Sequence, residues 1–107
     1  MSDTDFIVVF VTCARKEADS IARILIDKKL AACVNLFPVV SHYYWQGKAR
    51  REDEILLIIK TRRALYQKLE SEVKQAHSYE VPEIIAVNAE AVEANYMKWL
   101  LDQTAAE

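Results

Sequence analysis

The sequence predicts a mixed α+β domain in which one long hairpin carries an antiparallel sheet. Three observations predict it. Two runs, 6–11 (FIVVFV) and 55–59 (ILLII), are apolar at every position, the pattern of strands in the middle of a sheet and buried on both faces. Three other stretches, 16–29, 63–76 and 92–100, repeat apolar residues at helical spacing. The single glycine, Gly47, follows Gln46 inside the 31–61 stretch, where a residue that accepts positive φ can reverse a hairpin.

The chain has 107 residues, 52% of them hydrophobic and 28% charged, which is enough for one domain, 1–107, with its own core. One glycine and two prolines leave no sequence for a long flexible linker. A formal net charge of −2 argues against a nucleic-acid binder, which needs a basic face. Cys13 and Cys33 fit no zinc, thioredoxin or haem spacing and read as free thiols of a reducing compartment. The start, MSDTD, is acidic and the apolar run behind it is short, unlike a signal peptide or a membrane helix. A cytoplasmic protein is expected.

In chain order, 6–11 is the first strand. The first helix spans 16–29, with Ala18, Ile21, Ala22 and Leu25 on one face and no Ser, Thr, Asp or Asn directly before Lys16 to cap it. The arm 31–45 contains Pro38, which cannot donate to a central ladder, so this strand lies at an edge or bulges there. The return arm ends in the central run 55–59. Leu65, Leu69, Val73 and Ala76 mark the second helix. The segment 77–82 (HSYEVP) is a loop, because the residue before proline avoids helix. Residues 84–87 form a short strand, and Val92, Tyr96, Trp99 and Leu100 mark a C-terminal helix. The order of the first six elements is the split βαβ, ferredoxin-like arrangement, with strands one and three central.

The first arm alone would span roughly 50 Å at ~3.3 Å per residue, against a radius of gyration of about 13 Å for a domain of this size. It also carries Leu36, Phe37, Val39, Val40, Tyr43, Tyr44 and Trp45. An edge so long and so apolar needs a cover, and a homo-oligomer closed head to tail would supply one.

Four motifs, LAACVN at 30–35, YYWQGK at 43–48, LLIIKT at 56–61 and HSYEVPEI at 77–84, together with Tyr96, Trp99 and Leu100, resemble the CutA family of divalent-cation tolerance proteins. That resemblance covers nearly the whole chain. It implies a homotrimer assembled like the PII signalling proteins and an association with copper or other divalent cations. The family's cysteine at the end of the first strand corresponds to Val11, so Cys13 is displaced by two residues. In the HPYEVPE-like loop, Ala76 and Ser78 stand where relatives carry histidine and proline.

The candidate metal ligands are therefore His77, Cys33 and Cys13. His77 offers an imidazole for copper or zinc, or else ends a helix and bonds locally. With a two-residue turn at Gln46-Gly47, Cys33 falls opposite Lys60, whose ammonium would favour a thiolate; the other reading of each cysteine is a small buried apolar residue. Tyr43, Tyr44, Trp45, Lys60, Tyr79, Glu80 and Glu83 are expected at an inter-subunit interface or cleft. Lys48, Arg50, Arg51, Lys60, Arg62 and Arg63 could form an anion pocket, but Glu52, Asp53 and Glu54 among them favour solvated ion pairs.

Other users of this fold fit less well. An RNA-recognition domain needs exposed aromatics on its third strand, which here reads EILLIIK. A copper chaperone needs C-x-x-C, and TCARKE has one thiol. An acylphosphatase needs a glycine-bearing phosphate loop. No catalytic set is found. The expected function is a non-enzymatic trimer that binds divalent cations weakly, and the alternative is a PII-like sensor or scaffold with a small molecule or partner in its inter-subunit clefts.

Overall fold

A computed structural model describes residues 6–105. It contains β1 (Phe6–Cys13), α1 (Arg15–Asp27), β2 (Cys33–Trp45), β3 (Lys48–Arg62), a 3-10 turn (Arg63–Leu65), α2 (Tyr66–Ala76), β4 (Ile84–Asn88) and α3 (Ala94–Gln103). The four strands form one antiparallel sheet in the order β2-β3-β1-β4. The two all-apolar runs are central and the proline-bearing strand is an edge, as their composition requires.

The turn is a two-residue reversal with both residues at positive φ, Gln46 at 52° and Gly47 at 77°, the geometry whose twist suits a hairpin. From it the register runs without interruption, Trp45 opposite Lys48 through Pro38 opposite Ile55 to Cys33 opposite Lys60. Pro38 causes no bulge, because on an edge strand its missing N–H can face away from the ladder. The 13-residue β2 accounts for the 44 Å long axis of the molecule.

Local signals at the helix ends differ from the sequence reading. α1 starts at Arg15 because Glu17 reaches back to accept from the Ala14 N–H at 3.4 Å. Its C-terminus closes through Leu30 N–H to the Leu25 carbonyl and Lys29 N–H to the Ile26 carbonyl. Lys29 sits at φ 59°, the left-handed position that glycine usually takes. The helix expected over 63–76 begins with the 3-10 turn, and α3 starts at Ala94, where the Glu93 carboxylate accepts from Tyr96 N–H at 2.8 Å.

α1 and α2 cover one face of the sheet. Ile7, Val9, Val11 and Cys13 of β1 and Ile55, Leu57, Ile59 and Thr61 of β3 are buried with Ala18, Ile21, Leu25, Leu69 and Val73 of the helices. Thr61 donates to the Leu30 carbonyl at 2.8 Å, so the hydroxyl in this core is satisfied. The alternate residues of the same strands, Val8, Phe10, Leu56 and Ile58, are only half-buried. This corrects the expectation that both apolar runs are buried on two faces: a single chain has helices enough for one face of the centre. Around the second face stand Phe37 (60% exposed), Ile85 and Val87. α3 covers only its end, where Tyr96 lies 6.0 Å from the ring of Phe6 and stacks on Trp99. No helix among the described residues is long and apolar enough to cross a membrane.

Two substitutions test this packing by urea unfolding at one fixed protein concentration. Leu57→Ala, in the fully buried centre, should cost about 2–5 kcal/mol. Lys29→Gly should stabilise by up to about 1 kcal/mol, because it relieves the left-handed backbone; a loss of stability would show that Lys29 contributes more through its contacts than its backbone costs.

Candidate functional site

The loop between α2 and β4 folds against the end of β1 and the middle of the hairpin, and tyrosines and carboxylates hold it there. His77 is 8% exposed. Its Nε2 lies 2.7 Å from the Thr12 carbonyl, and its Nδ1 accepts from the Tyr79 N–H at 3.1 Å. A carbonyl can only accept, so Nε2 carries the hydrogen and both ring nitrogens are engaged. The next residue is fastened to α1: Ser78 donates to Glu17 through its N–H at 3.1 Å and its hydroxyl at 2.8 Å. Ser78, where the resemblance expects proline, thus supplies an anchor proline could not.

Tyr79 packs its ring 4.6 Å from that of His77 and donates to Glu54 at 2.6 Å. Glu54 is 4% exposed, a buried acceptor and not the solvated ion pair expected of it. Tyr43 similarly donates to Glu52 at 2.9 Å, and Thr12 to Glu83 at 3.4 Å. Burial, followed by the bond to Glu54, drives the Tyr79 hydroxyl well above its ordinary value. The bond to Glu52 raises that of Tyr43. Both phenols therefore stay protonated and donating at neutral pH.

Two adjoining clefts open here and share Tyr43, Tyr79 and Val81. One, about 480 Å³, is lined with oxygen donors from Thr12, Ser41, Glu54 and Glu83 and also by His42. The other, about 610 Å³, is walled by Tyr43, Tyr44 and Trp45, with Arg50, Glu52 and Glu80. Tyr44 is 78% exposed.

Of the candidate residues, the fold brings His77, Tyr79, Glu80, Glu83, Tyr43, Tyr44 and Trp45 to these clefts or their rim. The two cysteines lie elsewhere. Cys13 is buried on the helix-covered face, and burial, followed by the charges of Glu17 and Glu54, pushes its thiol up to about 11. Cys33 does face Lys60, and the side-chain amide oxygen (Oδ1) of Asn35 accepts from both Lys60 and the Cys33 thiol. The pair sits four positions along β3 from Leu56, the partner of Thr12, roughly 13 Å away at ~3.3 Å per residue. Among the described residues of one chain no three His, Cys, Asp or Glu side chains converge to hold a metal ion. Sequence reasoning missed Thr12, Glu17, His42 and the separate roles of Glu52 and Glu54. The period-2 pattern held one available signal: Glu52 and Glu54 share a face with Leu56 and Ile58.

The family described as CutA1 divalent ion tolerance protein matches residues 7–103. A chloroplastic CutA 1 protein of Oryza sativa is 46% identical over 100 residues, covering 92% of this chain and 56% of its own length. The divalent-cation tolerance protein CutA of Pyrococcus horikoshii is 35% identical over 99 residues, covering 92% of this chain and 97% of its own. The chain thus spans about half the length of the plant relative and nearly all of the archaeal one. The crystal structure of CutA1 from Oryza sativa superposes with a TM-score of 0.92 at 41% identity, covering 96% of each chain. That of the periplasmic divalent cation tolerance protein CutA from Archaeoglobus fulgidus gives 0.89 at 36% identity, covering 92% of this chain and 97% of that one.

Tyr79→Phe leaves the buried Glu54 without this donor and should destabilise by about 1–3 kcal/mol in urea unfolding at neutral pH. For the cysteines, native protein at pH 8 should lose its Cys33 thiol to a disulfide reagent while Cys13 reacts only on unfolding. The raised Cys13 value favours the folded state below the ordinary thiol value, and that contribution is lost as pH climbs from 9.0 to about 11. A Cys13→Ala variant should lack this alkaline loss; an identical pH profile would count against it.

Proposed function

The chain belongs to the family of CutA1 divalent ion tolerance proteins, and from that premise we propose that it is a non-enzymatic homotrimer that binds divalent cations, copper among them, where its copies meet. The observation that carries this is the pairing of Thr12 with Glu83 beside the buried Glu54, in an oxygen-lined cleft next to the uncovered apolar face of the sheet. Carboxylate and hydroxyl oxygens suit divalent cations generally. Copper would further call on imidazole, which His77 could provide only by giving up one of its two hydrogen bonds. One chain supplies an incomplete set, and a neighbouring copy would complete it.

Support for assembly is physical. A 13-residue edge strand and the face bearing Phe10, Phe37, Leu56, Ile58 and Ile85 both gain by being covered. The number three is what the family resemblance implies. The family is named for tolerance of ions and not for a reaction, and the net charge of −2 favours neither nucleic acid nor an anionic membrane as partner. Two free thiols fit a reducing compartment such as the cytoplasm.

Manganese and copper titrations followed by calorimetry test the cation site, with sedimentation equilibrium for the assembly. Glu83→Gln should weaken binding about tenfold or more, whereas Lys74→Ala should leave it unchanged. Phe37→Glu should yield monomers and lose the binding. Full-affinity binding by such a monomer would remove the intermolecular site, and a wild-type species of about 12 kDa would remove the oligomer.

A further inference from the structure

The loop along the oxygen-lined cleft is fastened at a point outside that cleft. Tyr79, Val81, Pro82 and Glu83 line the space, and among the described residues 78–82 make no backbone–backbone hydrogen bond. The far end of this strap is fixed by the sheet, where Ile84 pairs with Val11. The near end leaves α2 at His77, whose φ of −87° and ψ of 141° are already extended. The direction of exit is therefore set by what holds the next residue. Glu17 of α1 holds it, 61 positions away: Oε1 accepts the Ser78 N–H at 3.1 Å and Oε2 accepts the Ser78 hydroxyl at 2.8 Å. Oε2 also accepts the Ala14 N–H at 3.4 Å, so the carboxylate is steadied by its own helix. The other side-chain bonds of the strap do not leave the site. Tyr79 to Glu54 and Thr12 to Glu83 join groups of the cleft, and the Tyr79 N–H to His77 Nδ1 stays within the near end.

We propose that Glu17 is a positioning residue for the cation cleft, acting through Ser78 and touching no cation itself. It does not line the cleft. A carboxylate holds N–H and O–H donors more strongly than a neutral acceptor does. Two donors from one residue fix an orientation as well as a distance. With both ends of the strap fixed, Tyr79 is held over Glu54 and orients its carboxylate, and groups that orient a ligand tune metal affinity from outside the first ring of contacts. Every contact named here is made within one chain, so the role does not require any of these side chains to be exposed. It does rest on the cation reading of the cleft. Through-space attraction of a cation by the Glu17 charge is the competing account. That attraction would be the same whether or not Ser78 is bonded, which is what separates the two.

Manganese titration of the full chain by calorimetry supplies the first readout. Glu17→Ala should weaken binding about tenfold. Ser78→Ala, which keeps the Ser78 N–H bond and the Glu17 charge, should weaken it about threefold. The double variant should be no weaker than Glu17→Ala alone, because the two residues act through one contact. Glu17→Gln is neutral but retains an acceptor oxygen, and should recover most of the affinity. The second readout needs no metal. The Tyr79 N–H bonds to His77 and not to Glu17, so its amide exchange, followed by NMR, should quicken in Glu17→Ala and Ser78→Ala while amides of β1 and β3 keep their rates. Additive losses in the double variant would overturn the proposal, and Glu17→Gln as weak as Glu17→Ala would assign the effect to charge and overturn it too. Unchanged Tyr79 exchange, or undiminished affinity in Glu17→Ala, would overturn it while the cation reading stood. Wild-type protein that bound no manganese would remove that reading, and this role with it.

Discussion

The unbroken register between β2 and β3 is the constraint on which the rest of the molecule depends. Side chains alternate faces with a period of two, so a single-residue slip would exchange the two faces completely. The Gln46-Gly47 turn, with both residues at positive φ, sets that register at one end of the hairpin, and it is still in phase at Cys33 opposite Lys60. As a result Ile55, Leu57 and Ile59 enter the core, while Glu52, Glu54, Leu56 and Ile58 stand on the opposite face. The core beneath the helices, the apolar face left open and the carboxylates of the clefts are consequences of the same alternation.

The clefts lie where that second face changes character. Around Phe10, Leu56 and Ile58 it is apolar, and Tyr96 reaches over its Phe6 end. Past the end of β1 the hairpin continues without a central neighbour, and its carboxylates meet hydroxyls in place of hydrocarbon. Tyr79 donates a hydrogen bond to Glu54, Tyr43 to Glu52 and Thr12 to Glu83. A buried carboxylate with no donor would destabilise the fold, so the loop that delivers Tyr79 is held on three sides: by Glu17 through Ser78, by the Thr12 carbonyl through His77, and by Glu54 itself. Of the groups that hold the loop, Thr12 and Glu54 also line the oxygen-rich cleft, so the proposed cation site and the position of the loop share them.

Assembly and site are linked by geometry. β2 is an edge strand that also furnishes Tyr43, Tyr44 and Trp45 to the aromatic cleft, so whatever covers the edge acts on the cleft. The superposition with CutA1 crystal structures at TM-scores near 0.9 shows that this arrangement of strand, loop and hairpin is the family's fold and not a local accident of this chain.

Much of the fold was legible in the residues themselves. Apolar runs identified the central strands, Pro38 identified the edge, and a lone glycine located the turn closely enough to place Cys33 opposite Lys60, because these signals act through the local backbone. The aromatic residues of the hairpin and Tyr79, Glu80 and Glu83 were expected at an inter-subunit interface or cleft, from the exposed edge and the family resemblance; within one chain they line the two clefts. What residue type alone could not decide was how distant groups pair. His77 appeared as an open ligand, yet the Thr12 carbonyl, 65 positions away, occupies one ring nitrogen. Glu54 appeared as one solvated charge among several and is buried under a tyrosine 25 positions on. Cys13 and Cys33 were each candidate ligands beside His77 and lie on opposite faces of the sheet. Local propensity acts over a few residues, whereas the state of a titratable or ligating group depends on which atoms the tertiary fold brings within about 3 Å of it.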